Sequence, residues 1–162
     1  MSKKQEICTS YMLYESEAEL ESLDKKLLQK AQEISELAYA PYSNFLVSAC
    51  LYLSNGEIVE GVNQENAAYP SGLCAERVAF FRSGIQYPNV TIEKVAILGK
   101  KRGEDYLFTA PCGACRQVML EFEINQKKAI EVILKDKEGK IYKIPSIRML
   151  LPFSFSNETG FL

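Results

Sequence analysis

Residues 45–62 read FLVSACLYLSNGEIVEGV, and residues 74–82, one polar loop later, read CAERVAFFR. The first stretch is a hairpin written in sequence. Apolar and aromatic residues run from Phe45 to Leu53, Asn55-Gly56 supplies a two-residue turn that tolerates positive φ, and Glu57–Val62 alternates as the returning strand. Residues 63–72, NQENAAYPSG, have the polar, Pro and Gly content of irregular chain. Cys74–Arg82 follows as a buried helix, expected to stop at Ser83-Gly84.

The same elements recur on either side. Upstream, Leu20, Leu23, Leu27, Leu28, Ala31, Ile34, Leu37 and Ala38 form the stripe of an amphipathic helix, closed by Pro41. Downstream, Ile92–Gly99 is a third strand, and Cys112–Phe122 (CGACRQVMLEF) is a second helix that opens on cysteine. Ala129–Lys135 and Lys140–Ile144 are strands around Lys137-Glu138-Gly139, and Ser146 caps a last short helix reaching Leu151. Residues 1–18 have no period and are expected to form an arm on a single domain spanning 19–162, a size suited to one core. The order α-β-β-α-β-α-β-β-α predicts an α/β fold. One mixed five-stranded sheet is covered on both faces, as a three-layer α-β-α sandwich.

Composition removes whole classes of chemistry. The chain has no histidine, so Ser-His-Asp and Cys-His hydrolases are excluded, and a metal must be held by thiolates or carboxylates. Lys+Arg 19 against Asp+Glu 21 gives a net charge of −2, which opposes nucleic acid as a partner. No apolar run approaches the roughly 18 residues of a membrane span. The N-terminal MSKKQEICTSYMLYESEAEL is broken by acidic residues and lacks a signal-peptide core. Five cysteines are an odd number for a disulfide framework, and the expected compartment is the cytoplasm, with reduced thiols.

The chemistry concentrates at the two cysteine-led helices. A thiolate at a helix N-terminus sits in a positive field that lowers its pKa. Cys112 and Cys115, at i and i+3, share one helical face and can grip one ion. Cys74, from the other helix, makes three ligands and leaves one tetrahedral position open, as in a catalytic rather than a structural zinc site. Glu76, on the same first turn as Cys74, is placed to take a proton from water at that position. Plainer readings stand beside these. CGAC opening a helix also fits a thioredoxin-like dithiol, and Glu76 fits an acidic residue favoured by the helix dipole. Arg77 fits either a neighbour of the thiolates or a solvated side chain. Cys50 is expected to be a small core hydrophobe and Cys8 an ordinary thiol.

Cys-x-Glu followed by Pro-Cys-x-x-Cys resembles the zinc nucleobase deaminase signature, with Cys in place of its usual His. More narrowly, AYAPYSNF (38–45), GVNQENAAYPSGLCAER (61–77), APCGACRQVMLEF (110–122) and LLPFSF (150–155) are similar to the homotetrameric cytidine deaminases of pyrimidine salvage. Phe45-Leu46-Val47-Ser48-Ala49 stands where that family has Phe-Pro-Val-Gly-Ala. The resemblance implies that Cys74, Cys112 and Cys115 bind Zn²⁺, whose water attacks C4 of the pyrimidine while Glu76 shuttles the proton. It implies that the backbone of Ala75 and Cys112 holds the base edge, that Phe45 packs on the base, and that Asn63 and Glu65 bind the ribose 3′-hydroxyl. It makes Arg77 a support to the thiolates. Phe155 of a neighbouring subunit would close the pocket of a tetramer. Cytidine and deoxycytidine are the implied substrates. A deaminase of a cytosine-containing antibiotic nucleoside would share every one of these motifs, and a non-catalytic zinc-binding module would share the fold.

Overall fold

The structure, a computed structural model, describes residues 2–157; Met1 and the last five residues of the expected 19–162 domain lie outside the described residues. The strands are β1 (Met12–Tyr14), β2 (Phe45–Leu53), β3 (Ile58–Val62), β4 (Ile92–Lys101), β5 (Tyr106–Leu107), β6 (Glu131–Lys135) and β7 (Ile141–Ile144). The helices are α1 (Ser22–Ile34), α2 (Ala75–Gln86) and α3 (Gly113–Gln126). The sheet runs β1-β7-β6-β4-β2-β3, with β5 paired to the end of β4. Only β4 and β6 run parallel, as a crossover through α3 requires.

Among the described residues the sheet therefore has seven strands rather than five. The two extra strands are three and two residues long, too short to show an alternation. They form because the edge of β7 and the free end of β4 offer unpaired backbone groups. β1 draws the segment before Leu20 into the sheet, with Met12 opposite Lys143 and Tyr14 opposite Ile141.

The three layers are as expected. On one face α1 lays Leu27, Leu28 and Ala31 onto Cys50, Ala96, Leu98 and Ile133. On the other, Ala79 and Phe80 of α2 with Met119 and Leu120 of α3 cover Ala49, Leu51, Val95, Ile97 and Val132. α1 ends earlier than Pro41: a 3-10 turn over Ser35–Leu37 follows, and Leu37 is solvent-exposed. α2 runs on through Ser83-Gly84, because Gly84 faces the ring of Phe122 on α3 and serves helix packing rather than termination. Asn55-Gly56 turns as expected, with Gly56 at φ 87°. Ser146 accepts from the Arg148 N–H and starts a 3-10 turn over Ile147–Leu150.

Gly61 fixes how α2 meets the sheet. A Cβ at this position would stand 2.5 Å from both the Ala75 carbonyl oxygen and the Ala79 nitrogen. The first turn of α2 thus rests directly on the β3 backbone, which sets the position of Cys74 and Glu76.

Candidate metal centre

Cys74 and Cys112 are the N-cap residues of α2 and α3, both in extended backbone conformation, and neither side chain caps its helix. An N-cap is ordinarily a Ser, Thr, Asp or Asn whose oxygen accepts a first-turn N–H. Here both cap positions are given to sulfur. Cys115, one turn into α3, is fully buried. The three Sγ atoms lie within 4.8 Å of one another, and Cys74 and Cys112 are 4.0 Å apart. Three sulfurs each about 2.3 Å from one tetrahedral zinc stand roughly 3.8 Å apart. The donor set and its spacing therefore fit zinc, with the fourth position left for a reactant. Among the described residues these three are the only group of metal-ligand type that converges in this way.

The electrostatics of the cluster are unequal. The Cys115 thiol and the Arg77 guanidinium outweigh burial and hold Cys74 down at about 5. Cys115, hydrogen-bonded to that sulfur and buried, is pushed far up. Arg77 Nη2 lies 3.9 Å from Cys74 Sγ and donates to the Gly72 carbonyl at 3.4 Å. Glu76 is 4% exposed, and its Oε2 has no hydrogen-bond partner among the described residues. Burial, then the charge on Cys74, raises its carboxyl above the usual carboxylate range. A buried oxygen without a partner costs about 1–3 kcal/mol, and a catalytic role is one use that such an atom serves.

Glu76, Arg77, Cys74 and Cys112 line a cavity of about 600 Å³, whose other walls include Val47, Asn63, Glu65, Tyr69 and Thr109. Asn63 is locked to β2: Oδ1 accepts from the Val47 N–H at 2.8 Å, and Nδ2 donates to the Phe45 carbonyl at 2.9 Å. Glu65 Oε2 accepts from the Tyr42 and Ser43 N–H groups at 2.8 and 3.3 Å, and hydrogen bonding from Ser43 and Tyr42 keeps its carboxyl below the usual range.

The sequence candidates thus fall into two groups. Cys74, Glu76, Arg77, Asn63, Glu65 and Cys112 share one cavity, with Cys115 completing the sulfur cluster. Ala75 is fully buried at the helix start and is not among the cavity walls. Phe45 is half-buried and is not among the lining residues, whereas Val47, two residues along the same strand, is. Phe155 is 65% exposed, its carbonyl held by Gln117, and its ring does not line this chain's cavity. Sequence reasoning had not singled out Tyr42, Tyr69 or Thr109 as wall residues. Their only signal is position, inside or beside the motif segments that supply the ligands.

Three convergent sulfurs and a buried carboxylate in the same cavity fit a zinc-dependent hydrolase. A profile of the cytidine and deoxycytidylate deaminase zinc-binding region matches residues 21–130. Over 137 residues the chain is 36% identical to a cytidine deaminase of Sporosarcina psychrophila, covering 83% of this chain and 92% of that one. Over 118 residues it is 39% identical to a cytidine deaminase of Mycoplasma pneumoniae, covering 73% and 85%. The crystal structure of cytidine deaminase from Burkholderia pseudomallei superposes with a TM-score of 0.68 at 40% identity, covering 80% of this chain and 97% of that one. The chain belongs to the cytidine and deoxycytidylate deaminase family. Among the described residues no helix is long and apolar enough to cross a membrane.

Proposed function

We propose that the chain hydrolyses the 4-amino group of cytidine and deoxycytidine, giving uridine or deoxyuridine and ammonia. The observation that carries this reading is Glu76 Oε2, buried and without a partner in the cavity that holds the cysteine cluster. Cys74, Cys112 and Cys115 hold the zinc, which when bound supplies the Lewis acidity that makes water a nucleophile near neutral pH. Glu76 accepts a proton from the water that attacks C4 and delivers it to N3. It then carries the second proton of that water to the departing amine, so that water and cytidine balance uridine and ammonia. A carboxyl raised by burial suits this two-way role, since proton transfer is fastest when the carrier's pKa lies near the working pH.

Three thiolates with Zn²⁺ sum to −1, which would weaken the metal as an acid. Arg77, beside Cys74, offsets this, together with two helix N-termini worth roughly half a charge each. Asn63 and Glu65, both pinned by backbone hydrogen bonds, would bind the ribose 3′-hydroxyl, and the backbone of Ala75 and Cys112, at the two helix starts, would hold the base edge. Val47, in the cavity wall, provides the apolar side of the base site, with Phe45 beside it on the same strand.

The exposed rings of Phe153 and Phe155 support a homotetramer in which Phe155 enters a neighbouring copy's cavity. Reduced thiols at the metal centre agree with a cytoplasmic enzyme of pyrimidine salvage, built as one catalytic domain over 19–162 with residues 1–18 as its arm. The test is loss of the cytosine absorbance with cytidine, deoxycytidine, their monophosphates and free cytosine. The two nucleosides should be turned over fastest. Equal turnover of free cytosine, or turnover of the monophosphates alone, would contradict the ribose assignment.

A further inference from the structure

Giving both helix caps to metal-ligating sulfur leaves two helix starts without their ordinary brace, and the two helices meet this with the same device. Arg77, three residues after Cys74, reaches back to the carbonyl of Gly72 at 3.4 Å. Arg116, four residues after Cys112, reaches back with Nε to the carbonyl of Pro111 at 2.8 Å. The two then diverge. Arg77 also touches a sulfur, whereas the second bond of Arg116 runs from Nη1 to the Leu150 carbonyl at 2.9 Å, at the end of the Ile147–Leu150 turn. A planar guanidinium can hold two carbonyls in fixed relative position, which a single ammonium cannot.

The segment so held needs holding. Cys112 is exposed, unlike the fully buried Cys115. Gly113 after it has nothing within 4 Å of where a Cβ would stand, so this position adds no side-chain packing to the helix start. Pro111 before it is buried and has no N–H to anchor it, so its carbonyl is the group through which the loop can be gripped. Cys115, Arg116 and Gln117 are consecutive: the first belongs to the sulfur cluster, the second grips the loop into Cys112, and the third holds the Phe155 carbonyl at 2.9 Å.

We propose that Arg116 is a positioning residue of the metal centre. By clamping the Pro111 carbonyl between α3 and the Leu150 turn, it keeps Cys112 Sγ at closing distance from Cys74 and Cys115. The inference rests on the reading of those cysteines as zinc ligands. Arg116 touches no sulfur in the described contacts, so its effect is geometric, and it ties the C-terminal turn to the metal ligand four residues before it.

The experiment uses the full-length chain as parent, Arg116→Gln and Arg116→Lys, each loaded with zinc and, separately, with Co²⁺. Zinc affinity is read by competition with a chromophoric chelator, the ligand field by the Co²⁺ thiolate bands, and folding by circular dichroism and thermal melting. Arg116→Gln should bind zinc about 10–100-fold more weakly, the usual loss when a group orienting a ligand is removed. Its Co²⁺ bands should shift or broaden, because Cys112 is no longer fixed. Arg116→Lys, which keeps donors and charge but not the planar fork, should fall between the two. A clamp that merely stabilises the C-terminal turn would lower the melting temperature and leave chelator competition and the Co²⁺ bands at parental values; that result overturns the proposal. If Arg116→Gln does not fold, the same two readouts on Arg116→Lys decide it: weaker zinc binding supports it, and parental binding overturns it. A parent chain that binds neither metal overturns the zinc reading and this inference with it, whereas parental binding in the variants overturns this inference alone.

Discussion

The two faces of the sheet both bury charge, and they treat it in opposite ways. Under α1, Asp24 is fully buried between Lys94 and Lys143, at 2.5 and 2.6 Å, and Glu131 lies 3.1 Å from both lysines. Two acids meet two bases, so the cluster is neutral within itself. Under α2 and α3, three sulfurs crowd together with one cation nearby, and the adjacent carboxylate has a bare oxygen. The first cluster balances its own charge, with Glu131 Oε1 ion-paired to both lysines, and holds α1 to β4, β6 and β7. The second is complete only with a cation and a reactant. Buried charge that satisfies itself is architecture, and buried charge left open is a site.

The contrast is broken most severely at Glu76. Glu76→Gln keeps every sulfur and removes the proton carrier, so kcat should fall about 10⁴-fold, at the upper end for a general acid–base group. Zinc content and melting temperature should hold, since the carboxylate has an unpartnered oxygen to lose. A loss below about tenfold in a cytidine assay would reduce Glu76 to a residue favoured by the helix dipole.

Asp24→Ala should do the reverse. It strands buried Lys143 and half-buried Lys94 with one acid, and breaking such a cluster costs about 3–5 kcal/mol, read as a lower denaturant midpoint, while zinc per folded chain stays unchanged. The pH dependence sharpens this. Burial pushes the Asp24 carboxyl up, but hydrogen bonds from Lys143 and Lys94 outweigh it and hold it below its ordinary value. A carboxyl lowered by folding stabilises fully above the unfolded value of about 3.9, and that stability is lost as pH falls through the folded value. Acid melts of the parent should therefore show a drop below about pH 4 that is smaller in Asp24→Ala.

The smallest expected effect is at Asn63, which belongs to the cavity and the sheet at once. Asn63→Ala removes two hydrogen bonds to β2 and the proposed ribose contact. A lost buried partner costs about 1–3 kcal/mol, or very roughly ten- to a hundredfold in kcat/KM for cytidine. Zinc binding should be unaffected. An unchanged kcat/KM would move the ribose site elsewhere.

The open cluster was legible in the sequence and the balanced one was not. Metal chemistry restricts residue type, and a helix start restricts spacing, so Cys74, Glu76, Cys112 and Cys115 stand out from the chain alone. Asp24 sits at a helix position, and Lys94, Glu131 and Lys143 at strand positions, where any polar residue looks like a solvent-facing one. Only the fold brings each lysine within 3.1 Å of both acids. The five longer strands and three helices followed from apolar runs, alternation and turn or stop signals. β1 and β5 did not, because two or three residues carry no period, and Gly84 looked like a stop when it is a contact point for Phe122. Arg116 was invisible for a different reason, as its partners are backbone carbonyls that no residue type announces.

The central claim is that the open cluster is a catalytic zinc centre, and the direct measurement is metal content against turnover in one preparation. Elemental analysis of the purified chain should give about one zinc per chain. Stripping the metal with a chelator should abolish cytidine deamination without unfolding the protein, and added zinc should restore it. A metal-free preparation that deaminates cytidine at the full rate would contradict the account.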